Sequence, residues 1–392
     1  MRSNVSLPLA GFALLCLSAV AHAQTDDIYI TDYASGNLLR YSFTYVSGSI
    51  TNVTPDGAPG NLGGPNSAVL ISGSIKEGIQ GTHNDIIVVG GHAGSSATKL
   101  TRYDLNGNEI GQIALTHFLS GSWVTYDMNE TGNCIITPDG KYMYAPEQNG
   151  GVIDKFDLAT GHLVGQVAQS GAHDVVLSAD GTTLYGASYS TGGIGVKAYS
   201  TAGFVNGGYT GPVTQVIAAD DHGLSNPSGM SISGNTLYIN QNQHGDSGNG
   251  VWEYTISSDL SLTYSHSVTS PDLNFIFGSS VGPDGNLYIA ALGDAANTGG
   301  SATPVDGIYK YNTTTHTVVS TAFIPGEPGD VSGAGGPAGV GGFYSPKYLE
   351  FGADFIPAGD AGYNTPEPSS LAFLLTSGFV TIGAFARRRR RA

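Results

Sequence analysis

Ile135-Ile136-Thr137-Pro138-Asp139-Gly140-Lys141-Tyr142-Met143-Tyr144 decides the fold of this chain. Two short apolar and aromatic runs flank an Asp-Gly pair, which tolerates the positive φ that a tight hairpin turn demands. The same form returns at residues 175–185 around Asp180-Gly181, at 230–238 around Gly234-Asn235, and at 279–288 around Asp284-Gly285. Beyond each hairpin a polar, Gly-rich loop leads into a third strand. Val152-Ile153-Asp154-Lys155-Phe156-Asp157, Val251-Trp252-Glu253-Tyr254 and Gly307-Ile308-Tyr309-Lys310-Tyr311 are the examples. Ala159-Thr160-Gly161 then turns the first of these into a fourth strand over 163–168. Four antiparallel strands recurring every ~40–50 residues predict the blades of a β-propeller.

Second-strand centres fall near Tyr29, Ile87, Met143, Tyr185, Tyr238 and Tyr288, with spacings of 58, 56, 42, 53 and 50. That predicts an all-β propeller of six four-stranded blades, with seven as the alternative count. The ends fit closure. Asp27-Ile28-Tyr29-Ile30 is a second strand with no first strand before it. The stretch from Pro346 through Lys347, Tyr348 and Phe351 to Asp354 is a first strand with no second after it. Pairing the two completes one blade from both ends and removes an open sheet edge.

Composition agrees. Gly accounts for 58 of 392 residues and charged residues for 12%, a balance that suits short strands and tight turns. Residues 24–365 hold 9 Lys/Arg against 30 Asp/Glu, a net charge of −21. Phosphate recognition needs clustered Lys and Arg, so nucleic acid is excluded as a partner. Of the two cysteines, Cys16 lies in the leader, which leaves Cys134 alone at the start of an apolar strand. It reads as a small buried hydrophobe.

The termini read as targeting segments. Residues 1–23 carry Arg2, an apolar stretch over 9–20 and Ala21-His22-Ala23 before Gln24, which together make a signal peptide with a cleavage site. The propeller is expected over 24–356 and a linker over 357–365. Residues 366–392 hold Pro366, Glu367 and Pro368, then a charge-free stretch over 369–386, then Arg387, Arg388, Arg389, Arg390 and Arg391. Eighteen uncharged residues followed by five arginines predict a short transmembrane helix with its end in the cytoplasm and the body outside.

This tail closely resembles the PEP-CTERM sorting signal of Gram-negative bacteria. The resemblance implies an exosortase that cuts near Pro366-Glu367-Pro368, a transient inner-membrane anchor, and delivery to the cell surface or exopolysaccharide matrix. Residues 134–187 resemble the YVTN-type and lactonase-like propeller repeats, with Thr137-Pro138-Asp139-Gly140 and Tyr144 followed by the turn Phe156-Asp157-Leu158-Ala159-Thr160-Gly161. That resemblance implies a propeller shared by enzymes, surface-layer proteins and binding modules.

In a propeller the start of each first strand and the end of each second strand meet around the axis. The residues selected there are Asn66, His92, Asn133, Glu147, Asn149, His173, Asp174, Asn226, Asn240 and His244. Imidazoles, carboxylates and amides around one funnel suit a polar ligand or a divalent cation such as calcium. Asp139, Asp180 and Asp284 recur through turn chemistry and carry no catalytic role. The sequence has no nucleophile elbow, Walker loop, dinucleotide fingerprint or zinc spacing. The leading expectation is therefore a surface or matrix module that binds polysaccharide or another envelope component, with Tyr189 and Trp123 as sugar-stacking candidates and Trp252, also considered for that role, read first as blade packing. The alternative is a metal-assisted, lactonase- or lyase-like enzyme with its site in the funnel.

Overall fold

The computed structural model describes residues 24–351, apart from 33–36, 47–48, 56–59, 62–64, 72–84, 91–95, 104–108, 130, 138, 189–194, 243–247, 274–275, 292–306 and 326–345. The expected signal peptide, the expected linker and the apolar, Arg-ended tail lie outside the described residues.

Among the described residues are six sheets of four or five strands, all antiparallel. Sheet 2 runs Pro65–Ile71, Asp85–Gly90, Lys99–Tyr103 and Glu109–Ala114. Sheet 3 runs Ile135–Ile136, Tyr142–Glu147, Val152–Asp157 and Leu163–Ala168. Sheet 4 is Ala172–Leu177, Thr183–Ser188, Val196–Ser200 and Val213–Ile217. Sheet 5 is Pro227–Ser233, Thr236–Gln241, Gly250–Ile256 and Leu262–Thr269. Sheet 6 is Ile276–Val281, Leu287–Ala291, Gly307–Asn312 and Thr317–Val318, with Ile324–Pro325 also on its third strand. Every expected second-strand centre falls in a second strand.

Sheet 1 comes from both ends of the described chain. Pro346–Phe351 pairs with Gln24–Asp32, placing Ile28 opposite Phe351 and Ile30 opposite Leu349. Asn37–Val46 and Ser49–Pro55 follow outward. The expected closure is there, and the second strand starts at Gln24, three residues before the expected Asp27. The innermost strands touch in ring order, from Pro65–Ile71 through sheets 3 to 6 to Pro346–Phe351 and back.

Alternation explains how the ring packs. Successive strand residues face opposite sides, so Met143 and Ala145 pack with Leu100 of sheet 2, while Tyr144 packs with Val175 and Leu184 of sheet 4. Tyr185 and Tyr288 repeat this toward sheets 5 and 1. These recurring tyrosines are spokes between sheets. Tyr185 Oη donates to Leu260 O at 3.0 Å, in the outer turn of sheet 5. The Asp-Gly turns work as expected: Asp139 and Asp180 each accept a hydroxyl at 2.7 Å, from Thr137 and Ser178, and Gly140 and Gly181 have φ of 65° and 67°. Two small hairpins, over 116–125 and 204–209, were not anticipated.

Candidate ligand site

Each innermost strand has one in-sheet partner, and its other edge faces the axis. Backbone N–H and C=O groups on that edge need partners of their own. Every innermost strand also carries a one-residue register shift at its start. The extra residue is Asn66 in sheet 2, His173 in sheet 4 and Ser228 in sheet 5. In sheet 6 the shift lies between Ile276 and Ser279, and in sheet 1 the extra residue is Lys347. In sheet 3, Thr131 opposes Glu147 but Ile135 opposes Tyr144, which is the same shift. The repeat places these shifts around one axial mouth, and at His173 and Ser228 the bulge re-aims the side chain it carries.

Sheets 3 to 6 are tied to one another there. Asn133 N donates to His173 O at 3.0 Å. His173 Nδ1 lies 2.6 Å from Ser228 O, so Nδ1 carries the proton, and its ring stacks on Phe277 at 5.4 Å. Met230 N donates to Asp174 Oδ2 at 2.7 Å. Ser228 Oγ donates to Ile276 O, and Ser231 Oγ to Ser279 O, both at 2.7 Å. The inner strands come so close that Gly132 and Gly229 leave no room for a side chain. These polar residues are the stitches of the ring.

Some polar atoms remain over. Thr131 Oγ1, Asp174 Oδ1, Asn240 Oδ1 and both side-chain atoms of Asn242 are buried without a hydrogen-bond partner. Asn240 Nδ2 donates to Phe277 O at 3.1 Å, and Asn242 N donates to Asn226 O at 3.0 Å. Burial pushes the Asp174 carboxyl well above the usual carboxylate range, against the Met230 and Val175 amides and the Asn133 side chain, which act the other way. Asn133 and Asn226 are half-buried and Asn149 is exposed in the turn after Glu147. Asn66 is placed by its backbone alone, and His92, His244 and Tyr189 lie outside the described residues.

Glu147 belongs to a different cluster, between sheets 2 and 3. Tyr126 Oη is 3.0 Å from Glu147 Oε1 and 2.8 Å from Asp154 Oδ2, and Gln166 Nε2 donates to Asp154 Oδ1 at 2.7 Å. One hydroxyl proton cannot serve two carboxylates, so the cluster is satisfied when one carboxyl is protonated. Burial first, then the Glu147 carboxyl, push Asp154 well above its ordinary range. The raised pKa means that acid favours the folded state. That contribution is whole below the unfolded aspartate value of about 3.9 and is lost as pH rises through the shifted one. Asp154→Asn, which mimics the protonated carboxyl, is expected to flatten the fall in Tm between pH 5 and pH 8 by a few degrees. Identical slopes in thermal melts of the two proteins would refute a shared proton.

Sequence reasoning singled out the run Asn240-Gln241-Asn242 at the end of the second strand, and missed Ser228, Thr131, Tyr126, Asp154 and Gln166. Asp154 alone had a signal, a carboxylate on the inward-alternating position of Val152-Ile153-Asp154. Trp252 packs in the blade, as expected: it is buried, with Nε1 donating to His222 O at 3.0 Å. Among the described residues no three His, Cys, Asp or Glu side chains form a metal-binding group. Cys134 is buried and makes no disulfide.

No family model and no curated protein matches the chain. Solved structures do. A Bacteroides uniformis protein provisionally named a 6-phosphogluconolactonase aligns at TM-score 0.52 and 15% identity, covering 83% of this chain and 99% of its own. Its Bacteroides fragilis counterpart gives 0.52 and 14%, over 83% and 98%. This fold is a β-propeller. A chain of a nidogen/laminin complex also aligns, at TM-score 0.50 and 8% identity, over 84% of this chain and 98% of its own length.

Proposed function

We propose that the chain is an exported six-bladed propeller whose axial mouth binds a small, hydroxyl-rich lactone and hydrolyses it. The observation that carries this reading is the set of buried, unpartnered polar atoms on Thr131, Asp174, Asn240 and Asn242 beside the bulged strand starts. Each such atom costs about 1–3 kcal/mol when left unmade, and a polar occupant removes that cost. The propellers provisionally named 6-phosphogluconolactonases share the fold, which supports the substrate class.

In the reaction, water adds to the lactone carbonyl and the ring C–O bond breaks, leaving an acid and a hydroxyl. Asp174 Oδ1 accepts the proton of the attacking water and returns it to the ring oxygen as the C–O bond breaks, and the Asn242 amide donates to the carbonyl oxygen. A hard cation such as calcium would find oxygen donors on Asp174, Asn240 and Asn242, and would polarise the carbonyl. Acid release from a panel of sugar lactones, with and without calcium, tests the reading. Asp174→Asn is expected to lower kcat by about 10²–10⁴-fold. Failure to open any lactone under either condition would overturn it.

A second reading is a cell-surface or matrix module that binds polysaccharide without turnover. It is favoured by His173 Nδ1 and Ser228 Oγ, which are already spent on neighbouring strands. It predicts affinity for the cell's own exopolysaccharide and none of the lactone chemistry. In either reading, export, tethering by the segment 369–386 and exosortase release at Pro366-Glu367-Pro368 deliver the body outside the cytoplasm.

A further inference from the structure

The hairpin of Thr116–Leu119 and Ser122–Thr125 belongs to none of the six sheets. Ser120 and Gly121 turn it with φ of 51° and 88°, the positive pair that a two-residue hairpin loop needs. Its base is fixed on the outer turn of sheet 3. Thr116 N donates to Gly161 O at 2.9 Å, and Thr116 Oγ1 meets His162 Nδ1 at 2.7 Å. Trp123 lies flat on the His162 ring, 3.5 Å away and 5° from parallel, with Phe118 edge-on against it.

The tip is bare. Phe118 is 62% exposed, Leu119 57% and Trp123 47%, with Val124 beside them at 36%. Single exposed apolar residues are ordinary, but a contiguous group on one projecting element marks a contact surface. Residues 110–126 also contain no Asp, Glu, Lys or Arg, within a body of net charge −21.

We propose that this hairpin is a membrane-contact element that seats Phe118, Leu119 and Trp123 in the interfacial layer of a phospholipid bilayer. The aliphatic Leu119 stands next to the turn, and the Phe118–Trp123 pair faces across the strands one step behind it, an order that suits acyl chains below and head groups above. A sugar would find a different surface, because His162 covers one face of Trp123 and only short hydroxyls flank it. With no charge over 110–126, insertion strips water from no carboxylate. Seventeen residues, 352–368, separate Phe351 from the apolar stretch 369–386, a tether of at most about 60 Å. The bilayer is therefore within reach while the tail is in place. Because the contact is apolar, it needs neither anionic lipid nor low salt. This inference is independent of the axial site.

The test uses the full chain in phosphatidylcholine vesicles whose acyl chains carry bromine, a quencher of tryptophan emission. The chain has two tryptophans and Trp252 is buried, so quenching reports Trp123. Quenching is expected in the wild type at low and high salt, and its loss in F118S/L119S and in L119S, with Trp252 emission and Tm unchanged. Vesicle association with no quenching would keep the tail as anchor and reject the hairpin. Quenching undiminished in the serine variants would also overturn the proposal. So would an emission change of Trp123 produced by soluble exopolysaccharide and not by vesicles.

Discussion

A chain ending before Pro346 is expected to lose cooperative folding, and Phe351→Ala to cost about 3–5 kcal/mol of stability. Pro346–Phe351 is the innermost strand of sheet 1 and pairs with nothing in its sheet but Gln24–Asp32. Removing it exposes the full edge of that strand and opens the ring between sheets 6 and 2, which the strand touches on either side. Phe351 is buried, with its ring 5.6 Å from Phe43 and 5.2 Å from Tyr288, both edge-on. Truncation to Ala leaves a cavity between two sheets that other ties hold in place, so collapse cannot fill it. A chain ending at Thr365 keeps the whole strand and is expected to melt with the wild type. Thermal and urea unfolding of the three proteins decides the matter. If the chain cut before Pro346 unfolded as steeply as that ending at Thr365, ring closure would not be what stabilises this body.

The closure was legible in the sequence because it rests on local signals. Asp139-Gly140, Asp180-Gly181 and Asp284-Gly285 each fix a hairpin within four residues, and the flanking alternation fixes which side chains face a neighbouring sheet. An unpaired second strand at one end and an unpaired first strand at the other then leave one way to remove both edges. The site was legible only as a neighbourhood. Asn133, His173, Asp174 and Asn240 do gather where the inner strands begin, but their partners depend on register shifts that no local pattern announces. Glu147 shows the limit most clearly. It ends a second strand, as His173 begins a first, yet its carboxyl turns outward to Tyr126 and Asp154 between sheets 2 and 3. Which way a bulged or terminal side chain points is settled by the approach of the next sheet, and that approach is encoded in the whole ring.

Gly229→Ala is expected to be nearly as damaging as loss of Phe351, for the opposite reason. A Cβ on Gly229 would sit 1.7 Å from Phe277 O and 2.7 Å from Asn240 Nδ2. The first of these is backbone in the neighbouring inner strand and cannot rotate away. Sheets 5 and 6 would have to part by more than an ångström at the axis. Parting them stretches Ser228 Oγ to Ile276 O and Asn240 Nδ2 to Phe277 O, now at 2.7 and 3.1 Å. The expected cost is about 3 kcal/mol, the upper end for overpacking. Gly132→Ala meets His173 O at the same 1.7 Å and should behave alike. Gly111→Ala, on an outer strand with nothing within 4 Å, is the control, expected within about 0.5 kcal/mol of wild type. Urea midpoints of the three variants give the comparison. Because the stitches that Gly229 permits also hold Asn240 at the mouth, ligand affinity should fall together with stability. A Gly229→Ala protein as stable as Gly111→Ala would mean that the inner strands are not held in this close contact, and the axial site built on them would fall with it.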